Sequence, residues 1–188
     1  MEWLSDCTAI EQAWIERCAK RDPKAQEYLF KHFFGFAMGI TLRYLTHTDL
    51  AQEVVNDSFL KIFNQLPKQV KEIKSFRGWM RKLIVNTSID YFRKEKRHFF
   101  FASLDDTIPN FSTQDDQSDH QSINDILLLM NQLPPLWKVI FNLNEVEGYS
   151  HEEIGKMLKI PASSSRAYLT KAKQKLRELI NSQNRIIK

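Results

Sequence analysis

Residues Ser150 to Leu176, SHEEIGKMLKIPASSSRAYLTKAKQKL, leave a chain few choices of fold. They encode two amphipathic helices joined by a turn of about three residues, and so short a turn forces the helices to cross. Ser150 followed by Glu153 is a capping box, and Ile154, Met157 and Leu158 make an apolar stripe at helical spacing. Lys159-Ile160-Pro161 ends that helix, because proline disfavours helical backbone in the residue before it. A second helix restarts near Ala162-Ser163, apolar along Leu169, Ala172, Leu176 and Leu179. Gly155 answers the need for a small residue where two helices cross closely.

The other faces of the second helix carry Arg166, Tyr168, Lys171, Lys173, Lys175 and Arg177. Lysines outside an amphipathic helix also describe an ordinary solvated face. Two features favour nucleic acid. The tight proline turn is that of a helix-turn-helix whose second helix enters a major groove, and Ser163, Ser164 and Ser165 put hydroxyls and free N–H groups at a positive helix end. Candidate duplex contacts are therefore Ser163, Ser164, Ser165, Arg166, Tyr168, Leu169, Lys171, Lys173 and Lys175.

Five glycines and six prolines in 188 residues leave little turn chemistry for a β protein, so an all-α fold of two small helical domains is expected. Thirteen phenylalanines should dominate the interior. Cys7 and Cys18 have no partner motif and read as reduced thiols. No apolar run approaches the ~20 residues of a membrane span. The start, MEWLSDC, lacks a signal peptide's pattern, so a cytoplasmic protein without membrane insertion is expected. The net charge of +4 points only mildly to a polyanionic partner, but residues 99–124 hold five aspartates and no Lys or Arg, so the rest is more basic than the whole.

Upstream, Thr8 with Glu11 is a second capping box, and Asp22-Pro23 opens a helix that should run to about Leu45. Gly35 and Gly39 hint at close packing within it. A third helix is expected from Asp49 to about Leu66, with Asp49, Gln52, Glu53, Asn56 and Asp57 together on one side. Alone, that strip reads as a solvated face; Glu53 and Asp57 at i and i+4 lack the further ligands of a metal site. Pro67 to Ser75 reads as a loop before a fourth helix, Phe76 to about Arg97. Basic residues with interleaved aromatics and amides there suit exposed bases and phosphates: Lys74, Ser75, Arg77, Trp79, Arg81, Asn86, Asp90, Arg93, Lys94 and Arg97. Residues 99–123 form an acidic, flexible linker whose apolar beads, Phe99 to Phe101, Leu104, Ile108 and Phe111, suggest that it lies on some surface. A helix pair, Asn124 to Gln132 and Pro135 to about Glu145, leads into the helix-turn-helix. The expected organisation is thus an N-terminal helix (1–22), a first domain (23–98), the linker (99–123) and a helix-turn-helix domain (124–182).

The order of these parts resembles the bacterial RNA polymerase sigma factors of the sigma-70 family, and its two-domain brevity the extracytoplasmic-function (ECF) subfamily. The resemblance rests on Asp49 to Phe59, Phe76-Arg77-Gly78-Trp79-Met80, Asn86 to Arg93, Leu133-Pro134, Val139-Ile140-Phe141, Glu147 to Ser150, Glu153-Ile154-Gly155 and Leu158 to Pro161. It implies that the strip of Asp49, Gln52, Glu53, Asn56 and Asp57 docks on a coiled coil of core RNA polymerase. It implies that the fourth helix and the loop before it hold the melted minus-ten promoter strand, with a flipped base captured between Lys68 and Ser75. The linker would thread the polymerase's channels, and the last helix would read minus-thirty-five duplex DNA. An anti-sigma factor, packed between the two domains, is the implied regulator; no cofactor and no metal is implied, and no catalytic residue. Where the family commonly has Thr-Val-Lys-Ser-Arg, this chain has Ser164-Ser165-Arg166-Ala167-Tyr168, and Asn56-Asp57 stands where Gln-Glu is common.

Two other classes compete. A stand-alone dimeric helix-turn-helix regulator would bind palindromic duplex without polymerase, but a flexible acidic tether is poor at fixing half-site spacing. For an enzyme, His151-Glu152-Glu153 is similar to the start of a zinc-hydrolase motif, yet the residue four after His151 is Gly155, so the second ligand is missing.

Overall fold

The computed structural model describes residues 6–45, 47–99 and 128–186, without side chains at 95–99 and 183–186. Every regular element among these residues is helical. In chain order they are α1 (Ala9–Ala19), α2 (Pro23–Thr41), α3 (Thr48–Gln69), α4 (Phe76–Phe99), α5 (Pro135–Phe141), a π-helical turn (Asn142–Val146), α6 (His151–Leu158) and α7 (Ala162–Ile186). The chain divides into two compact units that part between Tyr91 and Phe92, within α4. Of the expected linker, only Phe99 is described, as the last residue of α4; its other apolar beads and the start of the Asn124 helix lie outside the described residues.

In the first unit α1, α2 and α3 pack on one another. Leu29, Phe33, Val54, Phe59, Ile62 and Phe76 are buried there, with Phe33 and Phe76 ring centroids 5.4 Å apart. Both expected helix starts form: Thr8 and Glu11 make a reciprocal capping box, and the Asp22 carboxylate accepts from the Lys24 and Ala25 N–H groups ahead of Pro23. Cys18 is buried, Cys7 half-buried, and both are free.

Three sequence expectations need correction here. The second helix ends at Thr41, four residues early, where the Thr41 hydroxyl donates back to Ala37 O and the Thr41 carbonyl accepts from Tyr44 and Leu45 N–H groups in a turn. Gly35 and Gly39 are exposed, with open space where a Cβ would stand, so they mark no close crossing. The third helix does not stop before Pro67 but runs through it to Gln69. Leu66 is fully buried and its carbonyl accepts from Val70 N–H, so packing of the last turn outweighs the donor that proline lacks.

In the second unit α5 and α6 both pack on α7. Val139, Ile140, Leu143, Ile154 and Ala172 form the core, and Met130 and Leu133 extend it toward Trp137 and Leu176. The expected helix to Glu145 is α-helical only to Phe141; its last turn widens, with Glu147 N–H donating to Asn142 O at 3.0 Å. Ser150 and Glu153 make the expected capping box. The turn after α6 is closed by Lys159 itself, in left-handed backbone at φ 56°, with Lys159 and Ile160 N–H groups both donating to Gly155 O.

Candidate nucleic-acid and docking surfaces

Helical periodicity brings the acidic strip of α3 together as expected. Asp49, Gln52, Glu53 and Asn56 are exposed, while Ala51, Val54, Val55 and Ser58 turn inward. Leu60, an exposed leucine one turn beyond Asn56 and Asp57, continues the same side. Sequence reasoning passed over it. Asp57 is half-buried because the Tyr91 hydroxyl of α4 reaches across, 2.8 Å from Asp57 Oδ2 and 2.9 Å from Glu53 Oε1. Lys61 likewise reaches α4, with Nζ 3.1 Å from Thr87 Oγ1 and 3.8 Å from Asp90 Oδ2.

The residues expected on α4 are split over two sides. At about 100° per residue, Trp79, Asn86, Asp90, Arg93 and Arg97 share one stripe, and Lys82, exposed and unanticipated, completes it. Asn86, Asp90 and Lys94 are exposed and Arg93 half-buried; the Arg97 side chain lies outside the description. Trp79 is fixed by its Nε1–H, which donates to Gln69 Oε1 at 2.9 Å. Arg77 and Arg81 lie on the other side. The Arg77 guanidinium is 5.0 Å from the centroid of Phe33 and ion-paired to Glu11 at 2.7 Å, and Arg81 stands 5.9 Å from Phe36.

The loop before α4 exposes Lys71, Glu72 and Lys74 and buries Ile73. Ser75 is half-buried, its hydroxyl donating to Asp6 Oδ2 at 2.8 Å and accepting from Gly78 N–H at 2.9 Å. Arg77 and Ser75 are thus tied to the N-terminal segment, which periodicity could not foresee.

On α7 the duplex-contact set divides again. Ser163, Arg166, Lys171 and Lys175 are exposed, and Ser164, Tyr168 and Lys173 half-buried. Ser165 and Leu169 are buried, which corrects their assignment as contacts. Leu169 packs in the core as its apolar spacing requires, and Ser165 Oγ lies 2.9 Å from His151 Nδ1, fixing the start of α7 to the start of α6. Arg166 pairs with Glu152, Lys173 Nζ lies 2.8 Å from Glu145, and Lys171 stands 5.8 Å from the Trp137 ring. The outermost stripe of the first half of α7 is therefore Ser163, Arg166, Ala167, Thr170 and Gln174, flanked by Lys171 and Lys175. Sequence reasoning passed over Ala167, Thr170 and Gln174. Their exposure is the signal.

Among the described residues no group of three or more His, Cys, Asp or Glu side chains is placed to hold a metal ion, and no helix is long and apolar enough to cross a membrane.

Two family models match the chain: sigma-70 region 2 over residues 29–98 and sigma-70, region 4 over residues 123–176. The chain is similar to the RNA polymerase sigma factor CarQ of Myxococcus xanthus, 27% identical over 166 residues, spanning 88% of this chain and 95% of that protein. It is similar also to the ECF RNA polymerase sigma-E factor of Haemophilus influenzae, 24% identical over 190 residues, spanning 90% and 95%. Among solved structures it is similar to the sigma factor RpoE in complex with the anti-sigma factor NepR from Bartonella quintana, at 15% identity and a TM-score of 0.49, over 82% of this chain and 96% of that one.

Proposed function

The chain belongs to the sigma-70 family as an ECF-type RNA polymerase sigma factor, and from that premise we propose how its surfaces share the work of promoter-specific initiation. The side of α3 bearing Asp49, Gln52, Glu53 and Asn56, with Asp57 behind them, docks on core polymerase. Lys74 and the α4 stripe of Trp79, Lys82, Asn86, Asp90 and Arg93, with Lys94 and Arg97, hold the melted minus-ten strand. Unstacked bases suit aromatic, amide and cationic side chains beside a loop. The outer stripe of α7 reads the minus-thirty-five duplex, with Lys171 and Lys175 on the phosphates and Arg166 and Thr170 toward base edges. The segment 99–123 tethers the two domains through the polymerase's channels. The protein itself catalyses nothing; it acts in the cytoplasm bound to polymerase, and when free it is held by an anti-sigma factor.

The observation that carries this reading is the separation of three chemically different exposed faces onto three helices, acidic on α3, mixed basic and amide on α4, polar and cationic on α7. The stand-alone dimeric regulator is not favoured. Core polymerase, the purified chain and fragmented host DNA should together yield transcripts with defined 5′ ends. A chain that fails to bind core polymerase, or that binds operators equally well without it, overturns the reading.

A further inference from the structure

Helix α4 begins with N–H groups that no residue of its own can satisfy. The hydroxyl of Ser75, directly before it, accepts from Gly78 N–H, and the Ser75 carbonyl accepts from Trp79 N–H. The first two donors are taken by a residue some seventy positions upstream: Phe76 N–H donates to Asp6 Oδ1 at 2.9 Å and Arg77 N–H to Asp6 Oδ2 at 2.8 Å. The Ser75 hydroxyl donates to that same Oδ2. One turn into α1, Glu11 holds the Arg77 side chain at 2.7 Å and is itself fixed by Thr8 N–H at 2.7 Å and His32 Nε2 at 2.9 Å. Glu11 is only 5% exposed, so this is a built, buried anchor and not a surface pair.

The loop from Val70 to Ser75 is consequently fixed at both ends. At one end Gln69 holds Trp79 and the Leu66 carbonyl holds Val70; at the other Asp6 holds Ser75, Phe76 and Arg77. Ile73 is buried between them, which leaves Lys71, Glu72 and Lys74 presented outward at a set height. Asp6 and Glu11 both precede residue 29, where the match to sigma-70 region 2 begins.

We propose that Asp6 and Glu11 are positioning residues for minus-ten recognition: the N-terminal segment sets the loop and the first turn of α4 in the geometry that discriminates promoter bases. The inference rests on the minus-ten reading above. Neither acid touches DNA; each acts through Ser75, Phe76 and Arg77.

The test uses the full chain with core polymerase and a pool of duplex promoters randomised separately at the minus-ten and minus-thirty-five elements, with transcript 5′ ends sequenced. Asp6→Ala should flatten the base preference at the minus-ten element by roughly fivefold or more, the ratio that a lost helix cap corresponds to. Its preference at minus-thirty-five and its competition with the unaltered chain for core polymerase should stay within about twofold, the scatter of an ordinary surface change. Asp6→Asn, which keeps one acceptor oxygen, should fall between, and Glu11→Gln should lower minus-ten preference while leaving Asp6 and its bonds in place. Templates already melted at minus ten should restore the yield of Asp6→Ala but not its base preference. Unchanged minus-ten preference in Asp6→Ala overturns the proposal. So does a parallel loss of both preferences and of core binding, which would reveal a purely structural acid. If the unaltered chain shows no minus-ten preference at all, the minus-ten reading fails first and the proposal with it.

Discussion

The Tyr91 hydroxyl stands between two carboxylates, 2.8 Å from Asp57 Oδ2 and 2.9 Å from Glu53 Oε1. A phenol has one proton to give, so it donates to one carboxylate at a time. The acidic side of α3 is thereby fastened to α4, and Asp57 is drawn in from the strip that the sequence groups it with. Burial, then the bonds to Asp57 and Glu53, push the phenol's pKa upward. The fold therefore favours the protonated form. Its contribution is complete below the phenol's ordinary value of about 10 and is lost as pH rises beyond it. Tyr91→Phe should lower stability by about 1 kcal/mol at pH 7 in urea unfolding. The gap should close above about pH 10; a gap that persists there would show that the hydroxyl contributes by packing alone.

Lys138 makes the opposite pH prediction in the second unit. It is 1% exposed, its Nζ lies 2.6 Å from Asn131 Oδ1, and burial pushes its pKa down to about 8 from 10.5. Between those values the unfolded chain binds a proton that the folded chain releases. Stability should therefore rise with pH across that window, and the cost of the buried charge is present in full below it. Lys138→Met should abolish that slope and raise stability near pH 7 by about 1 kcal/mol or more. Melting curves from pH 7 to 10.5 on both chains measure it, and an unchanged slope in the variant would refute it.

The turn of the helix-turn-helix passes through two positions that both disfavour a side chain, one filled by glycine and the other by lysine. A Cβ on Gly155 would stand 2.8 Å from the Ile160 carbonyl oxygen, and that oxygen belongs to backbone that the turn holds in place. Gly155→Ala should therefore cost about 1–3 kcal/mol. Lys159, by contrast, occupies left-handed backbone at φ 56°, where a side chain is disfavoured. Lys159→Gly should stabilise the unit by up to about 1 kcal/mol. Thermal unfolding of the two variants should move in opposite directions.

What the sequence disclosed was whatever a local rule governs. Both capping boxes, the Asp22-Pro23 start, the acidic side of α3 and the cross of α6 with α7 follow from spacings of three or four residues. What it hid depends on partners far along the chain or on packing that overrides a local preference. Pro67 inside α3 is tolerated because Leu66 must stay buried. Ser165 looks like Ser163 and Ser164 in a string of letters, yet it alone faces His151. Asp6 carries no local signal of this role, since the bonds that define it run to Ser75, Phe76 and Arg77. On α4 the charged residues were recognised as a group; periodicity divides them into two sides, but only the structure shows that Arg77 and Arg81 lie against the Phe33 and Phe36 rings.

Burial on α7 separates inward-facing from outward-facing side chains, and under the proposed minus-thirty-five reading the two should respond differently to substitution. Ser165→Ala removes the hydroxyl that His151 meets at 2.9 Å. It should lower stability by about 1 kcal/mol and leave the sequence preference at minus thirty-five unchanged. Lys171 is exposed on the flank, so Lys171→Ala should weaken binding to all duplexes alike and reduce the dependence of log affinity on log salt by about one. Arg166 and Thr170 lie on the outermost stripe, where Arg166→Ala or Thr170→Ala should relax preference at a single base position by about 1–3 kcal/mol. Holoenzyme binding to a panel of singly substituted minus-thirty-five duplexes at several salt concentrations distinguishes the three. A changed base preference in Ser165→Ala, or a uniform loss in both stripe variants, would mean that a different side of α7 meets the groove.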